Sequence, residues 1–320
     1  AREVRKETPP IQSTDKGTLG DAARKILVRP LLWSDEGWRV VAIFAVLAVK
    51  VFGSGIDARG DGEREGAMNQ GAVLLEYDGP LARITLDRPE KLNAMNLGWV
   101  QELDAAVSRV AAEPTVRVVV VRGAGRAFCA GLDLDMLAHE GMPPDFYPIQ
   151  ERAFRGLEAM NRITVAVLHG YCLGGGLQLA IACDIRISST ECRIGLPAIN
   201  EGLVPGMAPF RLPRLIGFGP ARRLILSGEV IGPEEALRLG LVDHIVPADN
   251  FEAGLTEVLQ QYLAAPATAA VASKRLMRQA FDAPFEAVYQ ESERLLADCL
   301  ASPEVDAARK TWIQRQARRG

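Results

Sequence analysis

The chain has 320 residues, 48% of them apolar and 24% charged, with a formal net charge of −3. That composition supports a substantial buried core, and its nearly balanced charge gives no reason to expect a nucleic-acid partner. Five cysteines, odd in number and without CxxC or Cys/His spacing, argue against a disulfide framework or a metal site and for free thiols in a reducing cytoplasm.

Residues 1–67 read as an N-terminal extension rich in charge, Gly and Pro. Its apolar run at 40–49, between Arg39 and Lys50, is about half the roughly 20 residues that a membrane-spanning helix needs. It also lies too far from the start of the chain for a signal peptide, so membrane contact is expected only as a peripheral anchor through this extension. The segment GSGIDARGDGEREG at 53–66 reads as a flexible linker.

From Ala72 the pattern predicts strands near 72–77, 81–87, 116–122, 163–168 and 184–188, with helices near 97–111, 148–161 and 176–183. Two strand-to-turn-to-helix junctions stand out. One is RGAGRAFCAGLDLDM at 122–136, a Gly- and Ala-rich turn leading into a short helix. The other is HGYCLGGGLQLAIACD at 169–184, where three consecutive glycines open a helix directly after an apolar strand. Such a turn leaves backbone N–H groups unpaired at the positive end of a helix, a place for a phosphate or for a carbonyl that becomes an oxyanion. Leu177, Gln178 and Leu179 stand where a P-loop needs Lys and Ser or Thr, which argues against phosphate. The bland alternative is that the glycines only let the helix pack closely on a sheet.

Beyond Pro205 the chain is expected to be almost wholly helical, with segments near 207–216, 220–226, 233–239, 250–264, 267–281 and 285–300 and with Pro220 and Pro233 near helix starts. His139, His169 and His244 lie in no triad-like context, and no G-x-S-x-G elbow is present, which disfavours serine-type hydrolysis. Cys129 and Cys172 adjoin the two glycine turns and read as small packing thiols.

Taken together, AFCAGLD at 127–133 and GYCLGGGLQLAIACD at 170–184 resemble the AFxAGxD and GxxxGGGxxLAxxCD patterns of the crotonase superfamily, the enoyl-CoA hydratases and isomerases. LDRPEKLNAMN at 86–96, Leu196-Pro197, the GLVPG at 202–206 and RRLILSGEVIGPEEALRLGLVDHIVP at 222–247 extend the resemblance over residues 71 to about 300. It implies an α/β fold, a crotonase-like superhelix of ββα units at 68–250, followed by a C-terminal helical trimerisation region at 251–320. Homotrimers or hexamers are the implied assembly. Met68 falls where chains of this family ordinarily begin, so the extension is either an appended element or an upstream reading-frame artefact.

The resemblance further implies an acyl-CoA thioester as partner, with coenzyme A entering as part of the substrate and no cofactor permanently bound. The main-chain N–H groups of Leu132 and Gly175 would hold the thioester oxygen, and the Ala130 carbonyl would meet the adenine. Arg88 and Lys91 are candidates for the coenzyme phosphates or are solvated surface charges. The pattern departs from hydratases where it matters most: the two catalytic glutamates fall on Gln178 and Ala198, and the aspartate of some relatives falls on Gly206. Neither an amide nor a methyl group exchanges protons at neutral pH. Glu201 is the nearest replacement base, or else a solvated loop charge; Asp133 reads as a helix cap, and Tyr147 and Glu151 lie in the variable stretch expected to cover the acyl chain. The expectation is an isomerase- or decarboxylase-like acyl-CoA enzyme more than an efficient hydratase, the alternative being a catalytically silent acyl-CoA-binding homologue.

Overall fold

The computed structural model describes residues 71–317. The 1–67 extension, with its apolar run and linker, lies outside the described residues. In chain order the elements are β1 (Val73–Asp78), β2 (Leu81–Leu86), α1 (Leu97–Ala112), β3 (Val118–Gly123), α2 (Leu134–His139), α3 (Phe146–Ala159), β4 (Ile163–Leu168), β5 (Tyr171–Leu173), α4 (Gly175–Ile181), β6 (Ile185–Ser189) and β7 (Arg193–Gly195). They continue as α5 (Ala208–Ile216), α6 (Phe218–Ser227), β8 (Val230–Ile231), α7 (Pro233–Arg238), β9 (His244–Val246), α8 (Phe251–Ala264), α9 (Ala267–Gln279), α10 (Phe285–Leu300) and α11 (Pro303–Ala317).

The main sheet has the order β1-β2-β3-β4-β6-β9, with an antiparallel β1–β2 hairpin at one edge and parallel pairing across the rest. Its central strands β3 and β4 are buried on both faces because both are covered, whereas the edge strand β1 runs out to exposed Glu76, Tyr77 and Asp78. In β3, Val119 and Val121 join the large core that also holds Trp99, Leu103, Val107 and Phe154, while Val118 and Val120 join a second core closed by Leu255 and Leu259 of α8. The helix α1 starts where Asn96 accepts the Trp99 N–H at 2.9 Å, and it buries Trp99, Val100, Leu103, Ala106, Val107 and Val110 at helical spacing. It packs on α3, where a Cβ at Gly156 would come within 2.7 Å of Val107.

The expected strands and helices up to residue 189 are present within a few residues of their anticipated bounds. The sequence reading did not anticipate β5, β7 and β8, which form a second, three-stranded sheet. The region after Pro205 is correspondingly less helical than expected, since it contributes β8 and the edge strand β9. Strands of two or three residues are too short to display a period, so only their neighbours define them. Among the described residues no helix is long and apolar enough to cross a membrane.

The C-terminal helices are fastened to the core by a buried charge. Lys274 of α9 donates to the Arg162 carbonyl at 2.9 Å, the Leu157 carbonyl at 3.3 Å and the Asp184 carboxylate at 2.7 Å. Asp184 in turn accepts the backbone N–H and hydroxyl of Thr164. Removing one partner of such a pair leaves the other buried and uncompensated, at a cost of about 3 kcal/mol. Lys274→Met is therefore expected to lower the urea unfolding midpoint clearly, and adding Asp184→Asn should recover part of the loss. An unchanged midpoint in the single variant would contradict this role.

Candidate active site

Two chain segments meet to build the site, and each is held by main-chain pairing. After β3 the turn wraps around Asn93, a wholly buried residue with left-handed backbone (φ 58°). Its side-chain nitrogen donates to the carbonyls of Ala124, Ala127 and Phe128, and its oxygen accepts the Arg88 N–H. The chain then runs extended, Cys129 bridging to Cys172 of β5 and Leu132 to Met95. In the second bridge Met95 donates to the Gly131 carbonyl at 2.7 Å and accepts from Asp133 N–H at 2.9 Å. The parallel pattern alternates, so the intervening Leu132 N–H faces away from Met95. It has no acceptor among the described residues.

Opposite it, the Gly174 N–H donates to the Gly195 carbonyl and α4 begins, leaving the Gly175 N–H without an acceptor among the described residues. The two segments approach as closely as backbone allows. Gly131 has φ 101°, and a Cβ there would lie 2.9 Å from the Leu173 oxygen and 3.2 Å from the Gly175 nitrogen, so only glycine fits.

Both free N–H groups belong to residues lining one cavity of about 450 Å³. Ala130, Leu132, Gly175 and Glu201 all line it, together with Phe146, Tyr147, Gln150, Gln178 and the 197–206 loop. Its walls are mostly apolar; the polar side chains are Gln150, Gln178, Tyr147 and Glu201. Glu201 ends a short 3-10 turn, Pro197–Glu201, and burial raises its carboxyl pKa above the usual value. Ala198 contributes wall and no functional group.

Gln178 is buried and its amide has no hydrogen-bond partner among the described residues. Its oxygen lies where a side chain at position 206 would go: a Cβ on Gly206 (φ 44°) would come within 2.3 Å of it. A side chain at 206 would therefore require the Gln178 amide to turn away from its present position.

The remaining candidates are accounted for by their partners. Glu151 is paired with Arg211 at 2.5 Å, and the same guanidinium holds Glu158 at 2.6 Å, so Glu151 clamps α3 to α5 and does not stand free. Tyr147 lines the cavity, with its pKa raised by burial first and by the nearby Glu151 charge second. Asp133 caps α2, accepting from the Asp135 and Met136 N–H groups, as its position suggested.

Arg88 and Lys91 do not line the cavity. Arg88 donates to the Ala94 carbonyl at 2.7 Å and to Asp133 at 3.0 Å, bracing the chain on both sides of the Met95–Leu132 bridge. Lys91 pairs with Asp135 at 2.5 Å on the surface. Each cation thus has an acidic partner distant in sequence, a pairing visible only on folding.

The cysteines flanking the turns are packing groups. Cys129 donates to the Asn93 carbonyl at 3.1 Å, and burial pushes its thiol up to about 12; Cys172 is raised by the same cause. His169 contacts the Gly125 carbonyl at 3.1 Å, and burial lowers its pKa, consistent with a structural role. Among the described residues no group of His, Cys, Asp and Glu is placed to hold a metal.

Gln150 escaped the sequence reading, although a signal existed. It interrupts the otherwise apolar stripe Phe146, Ala153, Phe154 and Leu157 on the buried face of α3.

Compared with known proteins, residues 76–317 match the family model described as enoyl-CoA hydratase/isomerase. The chain is 30% identical over 250 residues to the short-chain-enoyl-CoA hydratase of Clostridium acetobutylicum, covering 76% of this chain and 95% of that one. It is 32% identical over 257 residues to a probable enoyl-CoA hydratase of Mycobacterium bovis, covering 78% and 98%. Among solved structures, the enoyl-CoA hydratase of Thermoplasma volcanium superposes with a TM-score of 0.71 at 32% identity, covering 77% of this chain and 99% of that one. The chain, with its two facing glycine turns, belongs to the enoyl-CoA hydratase/isomerase family.

Proposed function

We propose that the protein processes acyl-CoA thioesters by holding the thioester oxygen between the Leu132 and Gly175 N–H groups and stabilising the enolate that forms when charge moves onto it. The observation that carries this reading is that two main-chain donors, each without an acceptor among the described residues, belong to the lining of one largely apolar cavity. Each preorganised donor of this kind contributes roughly 100- to 1,000-fold in rate.

Proton transfer falls to Glu201, the carboxylate among the cavity-lining residues. With Gln178 and Ala198 in the glutamate positions, a single shuttling base suits isomerisation of a 3-enoyl to a 2-enoyl thioester, taking the proton from the α-carbon and returning it to the γ-carbon, and decarboxylation needs no base to form the enolate. Both chemistries survive these replacements better than hydration does. The hydratase names of the relatives support alkene hydration as the competing outcome. A second reading, an acyl-CoA binder without turnover, draws support from the unpartnered amide of Gln178. Exposed Phe281 and Phe285 support burial of the C-terminal helical region against other copies, as in the trimers or hexamers the resemblance implies.

The oxygen grip is tested from the ligand side, since main-chain donors cannot be deleted. Butyryl-CoA is expected to bind at least about tenfold more tightly than the thioether S-butyl-CoA, which lacks the carbonyl. Equal affinities would remove the basis of the reading.

Glu201 is tested by pH. A base must be ionised, and burial raises this pKa, so kcat/KM for a 3-enoyl-CoA should rise with pH through a limb above the ordinary carboxylate range. Glu201→Gln should lose that limb and about 100-fold or more in rate. The stability sign is opposite. With the folded pKa above the unfolded one, stability present below the unfolded value is lost as pH rises to the folded value, so the variant should be the more stable at pH 7. Turnover unaffected by Glu201→Gln contradicts its assignment, and tight acyl-CoA binding without turnover of crotonyl-, 3-enoyl- or malonyl-CoA selects the silent binder.

A further inference from the structure

Two carboxamides from different helices line the cavity, Gln150 beside Gly175 and Gln178 beside Gly206. Gln150, on α3, and Gln178, on α4, are each 6% exposed and both line the cavity. The Gln178 side-chain amide faces the open cavity and makes no hydrogen bond with another described residue. Gln150 has only the Met95 sulfur, a weak acceptor, 3.1 Å from its nitrogen, and that nitrogen lies 3.5 Å from where a Cβ on Gly175 would be.

Neither amide is among the fully buried polar atoms without a partner, so both stay open to the cavity, and a ligand that fills it must replace the water there with a donor and an acceptor. Two such amides open to one cavity mark a place for a polar group of the ligand. The free Gly175 N–H takes the thioester oxygen on the reading above, so the polar group belongs on the acyl carbons beside it.

We propose that Gln150 and Gln178 form a neutral two-amide clamp that selects acyl thioesters already carrying a hydroxyl or carboxyl group next to the thioester over plain hydrocarbon acyl chains. A hydrocarbon chain would expel water from the cavity and leave both amides unsatisfied. A hydroxyl both donates and accepts, and so can satisfy an amide oxygen and an amide nitrogen at once; a carboxylate can take the donors of both. A pocket built to hydrogen-bond an oxygen rejects the analogue lacking it far more strongly than an apolar pocket distinguishes chain length.

This inference rests on the acyl-CoA reading, and the experiment separates the two. Affinities of the full chain for butyryl-CoA, 3-hydroxybutyryl-CoA and malonyl-CoA are measured by calorimetry, first for the wild type and then for Gln150→Leu, Gln178→Leu and the double variant. At least one oxygenated ligand is expected to bind about tenfold or more tightly than butyryl-CoA, and the two arms show whether hydroxyl or carboxyl is the match. That ratio should fall toward one in the double variant. Gln178→Glu, which keeps size and polarity if a leucine variant fails to fold, should lose affinity for malonyl-CoA while keeping that for 3-hydroxybutyryl-CoA. Equal wild-type affinities for all three thioesters, or a preference that survives in the double variant, overturns the clamp alone. Failure to bind any of the three overturns the acyl-CoA reading and the clamp together.

Discussion

Two peptide N–H groups without an acceptor among the described residues, at Leu132 and Gly175, govern how the surrounding chain is built. Leaving a donor unpaired in a partly buried place is unfavourable, and the fold tolerates it only because neighbouring segments are heavily pinned. Gly131, packed against the Leu173 oxygen and the Gly175 nitrogen, sets the spacing between the two loops. A side chain at that one position would push the donors apart.

The pinning comes from residues that never reach the cavity. Asn93 fastens the turn after β3 through three carbonyls, and Arg88 links Ala94 to Asp133, which caps α2 immediately after Leu132. The Cys129 backbone bridges to Cys172 of β5, and the two side chains fill space beneath the turn with thiols that burial keeps protonated. The LNAM stretch and the glycine turns are thus one mechanical unit. Main-chain donors lack rotamers, so a framework that fixes the peptide planes fixes the chemistry. The side chains facing those donors are freer to vary, as Gln178 and Ala198 illustrate.

Much of this was legible in the sequence wherever local chemistry dictates local structure. The glycine turns, the long β-strands and the apolar stripe of α1 all follow from backbone freedom and periodicity. The short strands β5, β7, β8 and β9 were not, because two or three residues carry no period and are defined by their partners. The ion pairs of the charged residues were likewise invisible, because their partners are distant in sequence. Arg88 finds Asp133 across 45 positions, Lys91 finds Asp135 across 44, and Glu151 finds Arg211 across 60. Gln150 was recoverable in principle, as the polar member of a buried stripe. The exclusion between Gln178 and a side chain at Gly206 was not, since it depends on the 197–206 loop folding back over α4.

The most direct test is a crystal structure of the protein with butyryl-CoA. The account predicts the thioester oxygen within about 3.1 Å of both the Leu132 and Gly175 nitrogens, and the acyl chain in the cavity that Glu201 lines. A thioester bound elsewhere, or an oxygen reaching only one of the two nitrogens, would contradict it.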